Sequence, residues 1–339
     1  MNLKIGEKDC SSNNPLYIAE EGQANQGDID LAFQMIDTAA MVGADGIEFQ
    51  LFCADDMYVK GHRGHVIYRK AELSKAQIKS LITYTKEKGI IFQAACLSVD
   101  LVGFCAQENV DAFVINATDL NNPQILDAVS DTKIPFWLAT LMGSEGEIDW
   151  AIDYLNNRGA INFGILHGQH VMSSGDYMGV PPEMAQLGCI AKFQDRYGVP
   201  VGYVDHSPTV HMPALAVSSG AALVTKHLAP EENWEGPDAA VALASDAWGS
   251  SRELFHYAKN CLGDSKELSQ SEIKDRSIHR RGLYTTKQLK KGDLISPNDL
   301  IALRPGKDAI NPRQLSDIIG KKITQTIPQN HLLSFSDFK

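Results

Sequence analysis

The sequence predicts an α/β chain, a (β/α)8 TIM barrel followed by a small β-rich domain. Three observations predict it. Eight short and mostly apolar runs alternate with amphipathic stretches over about the first 260 residues. A glycine stands at several joins where a helix-like stretch gives way to the next run. Beyond Gly263 the composition changes, first to a polar tract and then to a segment dense in turn signals.

The apolar runs are Leu16–Glu20, Gly46–Gln50, Ile91–Ala95, Ala112–Ile115, Pro135–Ala139, Phe163–His167, Pro200–Tyr203 and Ala221–Lys226. A strand covered on both faces reads as such a run and not as an alternation. Between them, Ile29–Val42 carries apolar residues at helical spacing and stops at Gly43, which suits a C-cap. Ser74–Lys88 opens on a capping serine and stops at Gly89, and Met184–Tyr197 stops at Gly198. Eight such units in this length suit a barrel better than an open doubly wound sheet.

Residues 263–280, GDSKELSQSEIKDRSIHR, read as a polar linker. Residues 281–339 follow with Lys291-Gly292, Ser296-Pro297-Asn298, Arg304-Pro305-Gly306, Asn311-Pro312 and Ile327-Pro328, the punctuation of a coil-rich β domain. The expected organisation is a barrel over 1–262, a linker over 263–280 and a tail domain over 281–339.

Lys and Arg number 31 against 42 Asp and Glu, a formal charge of −11. That balance argues against nucleic acid or an anionic membrane as partner. No apolar run approaches the roughly 18 residues a membrane span needs, and the first residues lack a signal-peptide core. The six cysteines are scattered with no Cys-x-x-Cys pair, as expected of reduced thiols in a cytoplasm.

In a barrel of this kind, chemistry sits at the C-terminal ends of the strands. Those ends carry Glu20 and Glu21, Glu48 and Gln50, His167, Asp205-His206 and Lys226-His227, with Asp119 just after the fourth run. His206 and His227 close neighbouring strands, and two neutral imidazoles so placed can share a divalent ion completed by carboxylates and water. Gly236-Pro237-Asp238 is a turn by composition. Lys60, His62, Arg63, His65, Arg69 and Lys70 form a basic cluster after the second run, either solvated surface or an anion site. No G-x-S-x-G elbow, P-loop or G-x-G-x-x-G occurs, which argues against a serine hydrolase, a P-loop NTPase or a Rossmann dehydrogenase.

These residues resemble the sialic acid synthase family. The opening Ile18-Ala19-Glu20-Glu21-Gly22 with Asn25 and Gly27-Asp28, then Gly43-Ala44-Asp45 and Phe49-Gln50, is similar to that family's opening. So are Asp119-Leu120, Leu166-His167, Gly202-Tyr203-Val204-Asp205-His206-Ser207, Lys226-His227 and Gly236-Pro237-Asp238. Arg281-Gly282-Leu283-Tyr284, Lys291-Gly292, Leu303-Arg304-Pro305-Gly306 and Ile319-Gly320-Lys321 resemble the antifreeze-like (SAF, β-clip) domain that ends those enzymes. The resemblance implies condensation of phosphoenolpyruvate with an N-acetylated hexosamine. It implies that His206 and His227 hold Mn2+ or Mg2+, which would polarise the sugar aldehyde. It places Glu20 and Asp119 at the reacting centre. Gln50, His167, Asp119 and Asp238 would hold the sugar, and Arg304 would reach it from the partner subunit of a homodimer with exchanged tails.

Where the family carries a lysine in strand two and another in strand four, this chain has Glu48 and Val114. Family serines fall on Ala117, Ala139 and Val204. A family asparagine and tyrosine fall on His170 and Met172. The first five positions belong to the phosphoenolpyruvate site, so the charge of that pocket is changed outright. Two escapes are open: Glu48 turned away onto a basic partner, or the basic cluster folded over the pocket. Three functions are therefore weighed. One is a synthase with a rebuilt phosphate site. Another is an aldolase, lyase or epimerase acting on a related sugar. The last is a non-catalytic sugar-binding paralogue.

Overall fold

The structure is a computed structural model that describes residues 2–304 and 310–339. It separates into two compact units, Met1–Gly263 and Asp264–Lys339.

A short antiparallel hairpin, β1 (Leu3–Ile5) and β2 (Lys8–Cys10), opens the first unit. The barrel begins with β3 (Leu16–Glu20), α1 (Ile29–Met41), β4 (Gly46–Leu51), α2 (Ala54–Met57), α3 (Arg63–Ala71), α4 (Lys75–Glu87) and β5 (Ile91–Cys96). It continues through α5 (Val99–Gln107), β6 (Ala112–Ile115), α6 (Pro123–Asp131), β7 (Phe136–Ala139), α7 (Glu145–Asn157) and β8 (Phe163–Gly168). After a small hairpin, β9 (Ser173–Ser174) and β10 (Tyr177–Met178), come α8 (Gly188–Tyr197), β11 (Val201–Asp205), α9 (Met212–Ser218), β12 (Leu223–His227) and α10 (Ser245–Asn260). The barrel strands are all parallel and close in chain order, β12 pairing back onto β3. Each strand lies within three residues of the apolar run that predicted it. Helix α8 starts at Gly188, four residues after the expected Met184, because Pro182–Met184 forms a 3-10 turn first.

Local chemistry explains the boundaries. Asp28 caps α1, accepting from the Asp30 and Leu31 amides, and Gly43 follows the helix at φ +75°. Ser74 with Gln77 and Ser144 with Glu147 form capping boxes on α4 and α7. Outward strand residues pack on the helices, where the Tyr17 ring stacks on Trp248 at 4.2 Å and Phe255 at 4.7 Å.

Inward residues alternate with these and fill the barrel. Leu16, Ile18, Ile91, Trp137 and Leu166 form one interior cluster with Leu3 and Ile5 of the opening hairpin. Trp137 fits because Gly164 lies opposite; a Cβ there would stand 2.3 Å from the indole. The interior is thus a packed floor below an open mouth.

The second unit begins in the segment expected as a linker. Instead of a plain connector, residues 263–280 hold α11 (Gln270–His279), capped by a Ser269–Glu272 box. No residue of that helix is buried, so apolar periodicity carried no sign of it. Two antiparallel strands follow, β13 (Gly282–Thr285) and β14 (Leu300–Leu303), with α12 (Leu315–Ile318). Leu283, Leu289, Ile295, Ile318, Ile323 and Leu333 form its core.

Candidate active site

The barrel mouth opens into a cavity of about 310 Å3. Glu20, Gln50, His206, His227 and Asp238 all line it. Strand parity puts them there: Glu20 is inward on β3, Glu48 and Gln50 on β4, Thr225 and His227 on β12, each two residues from its inward neighbour.

The imidazoles of His206 and His227 stack with centroids 5.2 Å apart, and their Nε2 atoms face each other at 3.1 Å. His206 Nδ1 lies 2.8 Å from the Gln169 carbonyl, which can only accept. Nδ1 therefore carries the proton and Nε2 keeps its lone pair. Burial, with His227 beside it, holds His206 down at about 4, and burial lowers His227 as well. Both rings are neutral over the physiological range. Glu20 Oε2 lies 3.7 Å from His227 Nε2. Two neutral imidazoles whose Nε2 atoms converge, one fixed in tautomer by a backbone carbonyl, form a pair that fits a divalent metal when His227 carries its proton on Nδ1. Among the described residues no group of three or more His, Cys, Asp or Glu converges as a ligand set, so such a metal would complete its shell with water or substrate.

Gly22 allows this approach. It adopts φ +58°, and a Cβ there would stand 2.4 Å from His227 Nδ1 and 3.0 Å from Asp238 Oδ2. Behind the two histidines, Asp205 and Lys226 point away from the cavity and pair at 3.1 Å with both side chains fully buried.

A chain of amides orders one side of the mouth. Gln50 Nε2 donates to Glu20 Oε1 at 3.2 Å, Gln23 Nε2 donates to Gln50 Oε1 at 2.8 Å, and it also lies 3.1 Å from the Tyr68 hydroxyl. Burial raises Glu20 above the ordinary carboxylate range, while His206 pulls it back. Glu21, facing outward and bound to Asn25, is pushed up to about 7, chiefly by burial.

Deeper in, Glu48 stands in register with Glu20 on the neighbouring strand. It is 4% exposed, and Gln93 Nε2 donates to its Oε2 at 2.7 Å. Burial and then the nearby Glu20 charge push it well above the ordinary range. Around it lie Val114, Ala117, Ala139 and Val204. No lysine or arginine is among the described residues that line the cavity.

Neither expected escape is realised. Glu48 faces the cavity on an amide partner. The basic cluster is spent locally, His65 on Asp55 at 2.8 Å, Arg69 on Asp55 and Glu72 at 2.5 and 2.9 Å. His62 caps α3 and stacks on Tyr58, and Lys60, Arg63 and Lys70 are exposed to solvent.

Two expected site residues lie elsewhere. His167 sits on the outward parity of β8, where its Nε2 meets the Gln186 carbonyl at 3.2 Å and its ring meets Phe193; Leu166 takes the inward place. Asp119 ends the 3-10 turn Ala117–Asp119, and its Oδ1 accepts from Asn122 Nδ2 at 2.8 Å. Asn116 and Thr118 line the cavity from that turn instead. Arg304 belongs to the second unit, follows β14 and is exposed; Pro305 and Gly306 of its turn lie outside the described residues. His170 lines the mouth and sits edge-on to His206 at 5.4 Å. Reading the sequence missed Thr225, though it stands two residues before His227 and strand period alone places it inward.

Residues 35–267 match the NeuB family, and residues 280–339 match the SAF domain. The chain belongs to the NeuB family. This NeuB-family chain is 29% identical over 337 residues to an uncharacterized protein of Methanocaldococcus jannaschii, covering 99% of this chain and 98% of that one. It is 27% identical over 335 residues to the N,N'-diacetyllegionaminic acid synthase of Campylobacter jejuni, covering 94% and 98%. Its fold is similar to that of the N-acetylneuraminic acid synthetase of Leptospira borgpetersenii, with a TM-score of 0.74 and 26% identity over 81% of this chain and 95% of that one. No helix among the described residues of this NeuB-family chain is long and apolar enough to cross a membrane.

Proposed function

We propose that this NeuB-family protein is an enzyme that performs metal-assisted chemistry at the carbonyl of an acetamido sugar. The observation that carries the reading is the pair of neutral imidazoles, His206 and His227, facing each other at 3.1 Å beside Glu20. They would hold Mn2+ or Mg2+, which when bound supplies Lewis-acid polarisation of the sugar carbonyl. Glu20, buried and held by Gln50, would give or take the proton at the reacting carbon. Gln50 and Asp238 would hold sugar hydroxyls, with Gln23 and Tyr68 fixing the Gln50 amide. Arg304 would add a contact from the partner of a homodimer. The scattered free cysteines support a reducing, cytoplasmic setting.

A second reading, condensation of that sugar with phosphoenolpyruvate to a nonulosonic acid, is favoured by family membership and by the near full-length likeness to the C. jejuni synthase. Against it stands a cavity with Glu48 and no described lysine or arginine at its lining. Burying a phosphate with nearly two charges needs cations or several donors.

The deciding experiment incubates the Mn2+-loaded protein with a panel of acetamido sugars, with and without phosphoenolpyruvate. Sugar conversion without phosphoenolpyruvate supports the first reading, and sugar-dependent phosphate release establishes the second. Conversion in neither arm, with no Mn2+ uptake, removes both.

A further inference from the structure

The deep half of the cavity is built unlike its mouth. Its polar groups are Glu48, in register with Glu20, and Thr225 from β12. Thr225 is 1% exposed, lines the cavity, and its Oγ1 has no hydrogen-bond partner. Gln93, fully buried, gives its amide N–H to Glu48 and leaves its own Oε1 without a partner. The wall opposite is apolar: Val114, Ala139, Leu141, Leu166 and Val204.

The unpartnered Thr225 hydroxyl and two neighbouring carboxyls gather here with no described cation among them. A buried acceptor without a partner costs free energy, and two carboxyls close together repel when both are ionised. One ligand chemistry answers both at once, a group that is positively charged and rich in N–H donors. An anion would add to the repulsion between the two carboxyls.

We infer that the deep half of this cavity binds a protonated primary amine, its N–H groups donating to Glu48 and Thr225 while its carbon skeleton lies on the Val114–Leu166 wall. The amine belongs either to an unacylated amino sugar reaching down from the mouth or to a separate small amine beside the sugar. The inference shares with the proposed function only the barrel mouth as ligand site. An ammonium offers three donors and a full charge, and charge-assisted hydrogen bonds are about twice as strong as neutral ones. A divalent metal is the poorer occupant, since no imidazole joins Glu48 and Thr225 in this half of the cavity.

Calorimetric titration of the full-length, Mn2+-loaded protein tests this with four probes: D-mannosamine, N-acetyl-D-mannosamine, methylammonium and phosphoenolpyruvate. The free amine is expected to bind at least about tenfold tighter than its N-acetyl form, as a charged pair in a buried site requires. Alternatively, methylammonium binds by itself and tightens N-acetyl-D-mannosamine, which assigns the charge to a separate amine. In either case Glu48→Gln abolishes the amine effect and leaves N-acetyl-D-mannosamine binding within about twofold of its starting value. Thr225→Val, of nearly the same shape, weakens the amine effect independently. Phosphoenolpyruvate binding tighter than both amines, no amine effect in either arm, or an effect that survives both substitutions overturns the inference. Failure of the metal reading shows separately, as N-acetyl-D-mannosamine binding that does not depend on Mn2+.

Discussion

His206 Nε2 and His227 Nε2 lie 3.1 Å apart where two neighbouring barrel strands end, and the proton on His206 Nδ1 is committed to the Gln169 carbonyl. Removing both rings is expected to reduce Mn2+ affinity by at least about 100-fold, since loss of a single outer-shell partner of a metal ligand already costs 10- to 100-fold. Metal analysis of chelator-stripped and reloaded protein checks it. A His206→Ala/His227→Ala variant that still takes up one equivalent with unchanged affinity contradicts the assignment.

Gly22 is expected to be intolerant of a side chain. Its φ of +58° disfavours any L-residue, and the Cβ of Gly22→Ala would press on His227 at 2.4 Å. The expected outcome is a loss of about 1–3 kcal/mol in stability together with weaker Mn2+ binding. Urea unfolding and metal titration on the same sample check the two effects.

Glu48 should make the metal-free chain lose stability as pH rises. Its folded-state pKa is raised by burial and by Glu20, so above the unfolded value near 4.3 the native state keeps a proton the unfolded chain gives up. The contribution is complete below that value and declines as pH rises toward the folded-state pKa. Glu48→Gln removes the dependence, so the variant gains on the parent by up to about 1.4 kcal/mol per pH unit over part of that range. Urea midpoints at pH 5 and pH 8 measure it; parallel behaviour of the two proteins would count against a protonated Glu48.

His167 and Asp119 should be dispensable to the metal. His167→Gln disturbs packing against Phe193 and the Gln186 carbonyl, and Asp119→Ala loses a hydrogen bond to Asn122. Each is expected to cost about 0.5–2 kcal/mol of stability with Mn2+ affinity within a factor of three. A tenfold loss in either would restore that residue to the site.

Removing residues 264–339 should weaken both self-association and sugar binding, if Arg304 serves a partner's cavity. Sedimentation and calorimetry on the truncated barrel check it, and Arg304→Ala in the full chain should reproduce only the binding loss. A truncated chain that still dimerises and binds sugar normally contradicts the exchange of tails.

The barrel was legible because its punctuation is chemical. Gly43, Gly89, Gly198 and Gly220 take positive φ at helix-to-strand joins, and a buried strand needs an apolar run. Placement at the cavity was legible where a residue lies on the inward parity of its strand, as Glu20, Gln50 and His227 do. His167 misled because a run of buried residues conceals which neighbour faces in: Leu166 and His167 are equally covered, one by the barrel and one by α8. Asp119 misled because a 3-10 turn has neither the strand nor the helix period. Helix α11 was invisible to hydrophobic patterning because none of its residues is buried, and only Ser269 and Glu272 at capping distance announced it. The spending of His65 and Arg69 on Asp55 was hidden because those ion pairs depend on side chains meeting across α2 and α3.

Trp137 and the Leu3–Ile5 hairpin have a kinetic consequence. The barrel is packed beneath the cavity, whose two halves lie one below the other. A ligand entering at the mouth would pass His206 and His227 to reach Glu48, and a ligand held above would stand in its way out. Two-ligand kinetics in this protein should therefore show a compulsory order, with the deep ligand first to bind and last to depart.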